Sequence, residues 1–309
     1  MKIAVVGAGA IGGWIAARLA LAGHDPTILI RPGRSFDELT LHEGGTAQQA
    51  RLRVVESAAG HEPQDAVVFT VKAFGLADAA EAAAPLIGSE TAILPMINGV
   101  PWWFADPPLS SVDPDGRIGR ALPLPQVVGS VVHAAVRREG RQINVQHADK
   151  IIFGDPQGGA SERVYRLCAL FESAGIRPDP SNNVRRAIWY KAWGNMTMNP
   201  LSALTLATAD RVIAECRPLI LACMEEARAI GAAIHCPITE QGEERIEVTQ
   251  RLGAFKTSML QDVEAGRPIE LEALLGAPLE LAARHGVDAP NLQQLYAMTR
   301  LMAESRGLV

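Results

Sequence analysis

The first twelve residues, Met-Lys-Ile-Ala-Val-Val-Gly-Ala-Gly-Ala-Ile-Gly, constrain this chain more than any later segment. A short apolar run with β-forming character leads straight into Gly7, Gly9 and Gly12, and a helical pattern follows. In that order each glycine has its own physical reason. Gly7 permits a tight turn off the strand, and Gly9 lets a pyrophosphate approach the backbone. Gly12 lets the helix lie close to the sheet, with its free N–H groups aimed at the phosphates. Gly7, Ala8, Gly9, Ala10, Ile11 and Gly12 are therefore expected to form the dinucleotide-binding turn of an α/β, Rossmann-type domain.

The next strand decides which dinucleotide. Residues 26–30 read as that strand, after a helix ending near Gly23. An NAD site carries Asp or Glu about 20 residues beyond the glycines, accepting hydrogen bonds from the ribose hydroxyls. This chain has Arg31, followed by Arg34. A guanidinium pairs bidentately with a 2′-phosphate that a carboxylate would repel, so the pattern favours NADP(H); the alternative is two solvated loop arginines. Strand-like runs at 51–55, 66–70 and 92–96, separated by a helical pattern at 75–87, imply a parallel sheet. Lys72 and Asn98 fall at the carboxyl ends of two of these runs, the edge where open α/β sheets bind ligands. Lys72 is placed to contact the cofactor and Asn98 to bond substrate or the nicotinamide end, although each also suits an ordinary turn.

A length of 309 residues with 48% hydrophobic content suffices for two domains, and a net charge of -5 provides no basic field for nucleic acid. Cys168, Cys216, Cys223 and Cys236 have no CxxC spacing and no zinc-type histidine cluster, so reduced thiols and no metal are expected. Residues 3–22 are apolar enough to imitate a signal peptide or membrane span, yet glycines, Trp14 and Arg18 interrupt them, and the dinucleotide turn explains them better. The expectation is a soluble cytoplasmic protein, off the membrane, acting on a small molecule.

Residues 106–125, rich in Pro, Asp, Gly and Ser, are expected to lack regular structure. Strand-like runs follow at 127–137, 142–145 and 150–153, the first two joined by a hairpin turn at 138–141. His133 lies in this region, where a place as a satisfied core or edge histidine competes with one facing a site. A helix over 161–174 and a strand near 176–179 complete a first domain, 1–180, with a boundary at Pro178-Asp-Pro-Ser181. From Val184 the pattern is almost wholly helical, with stretches at 218–230, 243–264, 270–285 and 291–306, giving an all-α second domain over 181–309.

That helical half holds two polar constellations. Lys191, Asn195 and Asn199 recur every four residues and share one helical face among Trp189, Trp193, Met196 and Met198. Such groups are costly to bury without partners, which points to a polar site rather than a solvated face. Later, in Ser258-Met-Leu-Gln-Asp262, serine and aspartate stand one turn apart. Gly266 and Pro268 then break the helix, and Glu270 opens the next one. The alternatives are a surface hydroxyl and a helix-dipole partner.

Together, Gly7/Gly9/Gly12 with Arg31, Val71-Lys72-Ala73, Asn98-Gly99, the Lys191/Asn195/Asn199-Pro200 series and Ser258-Met-Leu-Gln-Asp262 with Glu270 resemble the ketopantoate reductase (2-dehydropantoate 2-reductase) family, nearly end to end. The resemblance implies a Rossmann domain, an all-helical domain and an active site in the cleft between them. It also implies NADPH-dependent reduction of ketopantoate to pantoate, a precursor of pantothenate and coenzyme A. In those terms Lys191 is the general acid toward the developing alkoxide, and Glu270 holds the substrate hydroxyl or positions Lys191. Asn98, Asn195 and Asn199 orient lysine, substrate or nicotinamide, Ser258 binds the substrate carboxylate, and Asp262 supports them. The chain departs from the family after Asn98-Gly99: Val100-Pro-Trp-Trp-Phe104 stands where a small residue is usual. Its tryptophans would narrow the pocket, widen its apolar wall, form a lid or simply pack. Two further readings stay open, a paralogue reducing another 2-oxo acid or ketone and a non-catalytic NADP(H)-binding sensor. The apolar C-terminal helices are compatible with a homodimer.

Overall fold

The chain lays down seven strands before residue 98: β1 (Ile3–Val6), β2 (Thr27–Leu29), β3 (Glu38–Glu43), β4 (Thr46–Arg51), β5 (Arg53–Val55), β6 (Ala66–Phe69) and β7 (Ala92–Pro95). Five of them form a parallel sheet in the order β5-β2-β1-β6-β7, and β1 is buried along its whole length. This computed structural model describes residues 1–309 apart from Ser35 and Leu252. Two units emerge from it, Met1–Ile97 with Gly116–Ala187, and Asn98–Asp115 with Ile188–Val309.

In the first unit, helix α1 (Ala10–Leu21) runs between two sheets. It packs on β1 of the parallel sheet and on β3, β4, β8 (Gly129–Glu139) and β9 (Gln142–Gly154) of a mixed sheet ordered β10-β9-β3-β4, with β8 on β9 and β10 at Pro178–Pro180. That double burial explains why α1 is apolar on every side. Ile15 and Leu19 are fully buried, each contributing about 1.5–3 kcal/mol, which outweighs the roughly 1 kcal/mol that each helical glycine costs. A Cβ at Gly13 would lie 2.7 Å from Ile143 Cδ1, so the Ile143 side chain of the second sheet occupies the space that this glycine leaves on α1.

Of this second sheet, the β3–β4 hairpin has no counterpart among the expected strands. The β3–β4 hairpin turns at Gly44 and Gly45, both at positive φ, and Leu39 and Leu41 alternate inward along β3. The three runs expected between 127 and 153 form one long hairpin, β8–β9. Residues 178–180, linker-like in composition, are an edge strand paired with β9, a position where proline is tolerated because one side of the strand donates nothing. Residues 106–125 are not wholly irregular, since they contain α3 (Arg117–Ala121), which packs on α2 (Leu76–Ala82). Arg117 bridges there to Asp78 and Glu81. Helix α4 (Glu162–Ser173) covers the mixed sheet.

The helical region comprises α5 (Val184–Thr205), α6 (Ala209–Ala233), α7 (Gly242–Gln250), α8 (Ser258–Glu264), a π turn (Glu272–Gly276) continuing into α9 (Ala277–Arg284), and α10 (Pro290–Arg306). The stretch expected as one helix over 243–264 is two. Gly253 takes a positive φ, and the Thr257 hydroxyl then caps a new helix by accepting from Leu260 N–H. Among the described residues no helix is long and apolar enough to cross a membrane.

Segment 98–115 belongs to this second unit. Trp102, Trp103 and Phe104 are buried, and the Phe104 ring meets that of Trp189 on α5 at 6.1 Å in a tilted contact, so the segment is packed into this unit. Glu280 of α9 clamps the far end, accepting from Ser110 N–H at 3.1 Å, Ser111 N–H at 2.8 Å and Arg284 at 2.6 Å, while Arg284 also reaches the Pro107 and Pro108 carbonyls. Burial alone would raise the Glu280 pKa, but these donors outweigh it and hold it at about 2. A depressed carboxylate stabilises the fold above its unfolded value near 4.5 and loses that contribution as pH falls toward about 2. Glu280→Gln is thus expected to cost about 1–3 kcal/mol in urea denaturation at pH 7, with the gap from wild type closing as pH is lowered. A gap that stays constant down to pH 3 would contradict the clamp.

Candidate functional site

The glycine turn is built by close approach. Gly7 sits at φ +92°, and a Cβ there would meet Val71 Cγ1 at 2.8 Å. At Gly12 a Cβ would lie 2.1 Å from the Gly7 carbonyl oxygen and 2.3 Å from Thr70 Oγ1, so its absence lets α1 start directly on the end of the sheet. Thr70 was not singled out by its sequence context, yet its hydroxyl donates to the Gly7 carbonyl at 2.7 Å and braces the turn. A Cβ at Gly9 would meet nothing within 4 Å. That open, exposed glycine caps α1 without any side-chain hydrogen bond, and the first helical bond runs from Gly13 N–H to Gly9. The amides of Ala10, Ile11 and Gly12 precede it, so the helix itself gives them no partner. The turn fits a dinucleotide pyrophosphate on all of these counts.

Arg31 and Lys72 flank it. Strand β2 pairs with β1 (Val6 opposite Leu29), and Gly7 N–H donates to the Leu29 carbonyl at 2.9 Å, so the exposed Arg31 leaves the sheet beside the turn on one side. On the other side β6 pairs with β1 and is followed by Thr70, Val71 and the half-buried Lys72. His133 is half-buried on β8 opposite Lys150 of β9. None of the four cysteines forms a disulfide, and among the described residues no group of three or more His, Cys, Asp or Glu stands together as a metal cluster.

In the second unit, Asn98 opens a turn docked on the π turn. Gly99 sits at φ +96° with its missing Cβ 2.3 Å from the Ala273 carbonyl oxygen, and Val100 N–H donates to that oxygen at 2.7 Å. The reason is local. In a π register the Ala273 carbonyl would look five residues ahead, to Pro278, which has no N–H to give. An orphaned carbonyl is thereby paired from another segment, and Asn98 is brought to α5, where Asn195 Nδ2 donates to Asn98 Oδ1 at 2.8 Å.

Lys191 lies one turn before Asn195. Burial pushes its ammonium down from 10.5 to about 8, against the opposing charge of Glu270, which acts to raise it. Glu270 is itself buried and its carbonyl accepts the N–H of Leu274, so it stands at the threshold of the π turn rather than within the first turn. Asn199 is buried on the same helix. The structure thus brings Asn98 to Asn195 and couples Lys191 to Glu270. Ser258 is exposed at the first position of α8, while the buried Asp262 accepts from Arg267 at 3.0 Å, an ion pair outside those contacts. The π turn and its Ala273 carbonyl escaped sequence reading. Pro278, two residues beyond Gly276, is the available trace.

Residues 3–158 match the model of the ketopantoate reductase PanE/ApbA family, and residues 183–303 match that of its C-terminal domain. The chain is 36% identical, over 99% of both proteins, to a 2-dehydropantoate 2-reductase of Mesorhizobium japonicum. A crystal structure from Ralstonia solanacearum MolK2 is 43% identical with a TM-score of 0.95, covering 100% of this chain and 99% of that one. A D-mandelate dehydrogenase solved with NADH and anilino(oxo)acetate shares the fold over 100% of both chains at 19% identity and a TM-score of 0.87. With both family models matched in order and a whole-length relative above 30% identity, the chain belongs to the ketopantoate reductase family.

Proposed function

We propose that this protein reduces 2-dehydropantoate to pantoate with NADPH, and that Lys191 delivers the proton. The observation that carries the reading is a desolvated ammonium coupled to a buried carboxylate, on the helix whose Asn195 fixes Asn98. Bound NADPH supplies the hydride to the keto carbon. As negative charge grows on the ketone oxygen, Lys191 Nζ donates to it, and a pKa near working pH suits that transfer. Asn98 Oδ1 is occupied by Asn195, which leaves Asn98 Nδ2 as an oriented donor. Glu270 keeps Lys191 protonated and accepts from the substrate hydroxyl. Asn199 orients the lysine end of this set, Asp262 holds α8 through Arg267, and the exposed Ser258 at the start of α8 receives the substrate carboxylate. In the first unit the glycine turn takes the pyrophosphate, Arg31 the 2′-phosphate, and Lys72 the cofactor from the opposite side.

Burial of Trp102, Trp103 and Phe104 makes the departure at 100–104 a packing feature, which favours ketopantoate over a bulkier 2-oxo acid. The presence of a tuned proton donor favours an enzyme over a sensor. We further propose a cytoplasmic setting and, from the apolar C-terminal helices, a homodimer.

Replacing Lys191 with Ala should lower kcat by about 10²–10⁴ while NADPH affinity, read by fluorescence titration, stays within error. Unchanged turnover removes the lysine from the mechanism. Because the acid must be protonated, kcat of the wild type should fall as pH rises through about 8. Glu270→Gln, which removes the charge that raises the Lys191 pKa, should move that limb to lower pH; a shift upward contradicts the coupling. A panel of 2-oxo acids assayed with NADPH and NADH should place ketopantoate with NADPH first. In the same panel Arg31→Asp should weaken NADPH far more than NADH, and equal losses would count against a 2′-phosphate at Arg31.

A further inference from the structure

A guanidinium of the mixed sheet stands beside the glycine turn. Arg138 stands on β8, opposite Ile143 of β9, at the tip of the long hairpin. Its Nη1 donates to the carbonyl of Ala8, inside the glycine turn, and its Nε donates to the Gly140 carbonyl at 2.8 Å. The guanidinium lies 4.6 Å over the ring of the buried Phe36. Phe36 follows Arg31 and Arg34 on the connection out of β2, so Arg138 touches both the turn that fits the pyrophosphate and the segment that reads the adenosine ribose.

The hairpin tip is firmly held. Ile143 fills the space left by Gly13 on α1, Thr40 N–H donates to the Arg141 carbonyl at 2.9 Å, and Arg141 pairs with Asp37 at 3.3 Å. Arg138 is therefore presented by a braced element rather than by a loose loop. Its charge, however, is poorly compensated. Burial lowers its pKa, and the like charge of Arg34 lowers it further. Among the described residues no carboxylate pairs with Arg31, Arg34 or Arg138. Asp37, the nearby acid, is taken by Arg141. A partly desolvated cation set against another cation, with spare N–H donors, is relieved by an anion that bridges them.

We propose that Arg138 is a specificity-determining residue for the cofactor, contributing the hairpin's guanidinium to a cage that also includes Arg31 and Arg34 and closes on the 2′-phosphate of NADP(H). The inference rests on the NADPH reading above. It assigns to the β8–β9 hairpin a cofactor contact that the glycine motif and the β2 end do not supply.

The test is binding, not turnover. Dissociation constants of NADPH, NADH, 2′,5′-ADP and 5′-AMP are measured by fluorescence titration and calorimetry for wild type, Arg138→Met, which keeps an apolar stem on Phe36, and Arg138→Lys, which keeps the charge. Arg138→Met should weaken NADPH and 2′,5′-ADP by about tenfold while NADH and 5′-AMP change by less than about twofold, and Arg138→Lys should retain much of the preference. Equal losses for NADPH and NADH in both variants would show that Arg138 only braces the turn, and overturn the proposal. So would a wild-type preference for NADPH that survives Arg138→Met intact. A wild type that binds NADPH no better than NADH overturns the cofactor reading itself, an outcome distinct from a failure of Arg138 alone.

Discussion

The hydrogen bond from Val100 N–H to the Ala273 carbonyl is the tie on which the helical unit's polar site depends. It joins a segment that leaves the parallel sheet to an irregular turn more than 170 residues later in the chain. Both ends are prepared for it. Gly99 removes the Cβ that would strike the same carbonyl, and Pro278 removes the N–H that would have competed for it. Three residues before that carbonyl stands Glu270, and two residues before the donating Val100 stands Asn98. One backbone contact thereby sets the positions from which the charge of Glu270 acts on Lys191 and the Asn98 amide meets Asn195. The Glu280 clamp and the Phe104–Trp189 contact hold the remainder of the segment against the same helices.

Lys191 shows why such local preparation matters. Moving an ammonium out of water disfavours its charge, and the fold partly offsets the cost with one buried acid rather than with full neutralisation. The result is an ammonium neither locked in the charged form nor discharged. The glycine turn uses the opposite strategy. There an anion would be met by amides to which the helix gives no partner and by an open face at Gly9, with the Thr70 hydroxyl holding the Gly7 carbonyl.

Much of this was legible in the sequence because it is local. The Gly7/Gly9/Gly12 spacing after an apolar run specifies a strand, a turn and a helix within twelve residues, and the four-residue recurrence of Lys191, Asn195 and Asn199 specifies a shared face. What escaped depends on contacts distant in sequence. Gly13 reads as helical padding until Ile143 is seen to fill its place, and Thr70 as the end of a strand until its hydroxyl meets Gly7. The tryptophans at 102 and 103 read equally as pocket wall or core, and only their burial decides. The π turn has no periodic signature at all, since a single widened turn leaves the hydrophobic pattern on either side nearly intact.

The central claim is that a partly neutralised, desolvated Lys191 is the proton donor of a family reductase. The most direct measurement is the titration of its own Nζ, followed by NMR in protein carrying isotope-labelled lysine and assigned with a Lys191→Arg variant. The account predicts a midpoint near 8 that falls when Glu270 is replaced by Gln. A midpoint near 10.5, unmoved by that replacement, would contradict it.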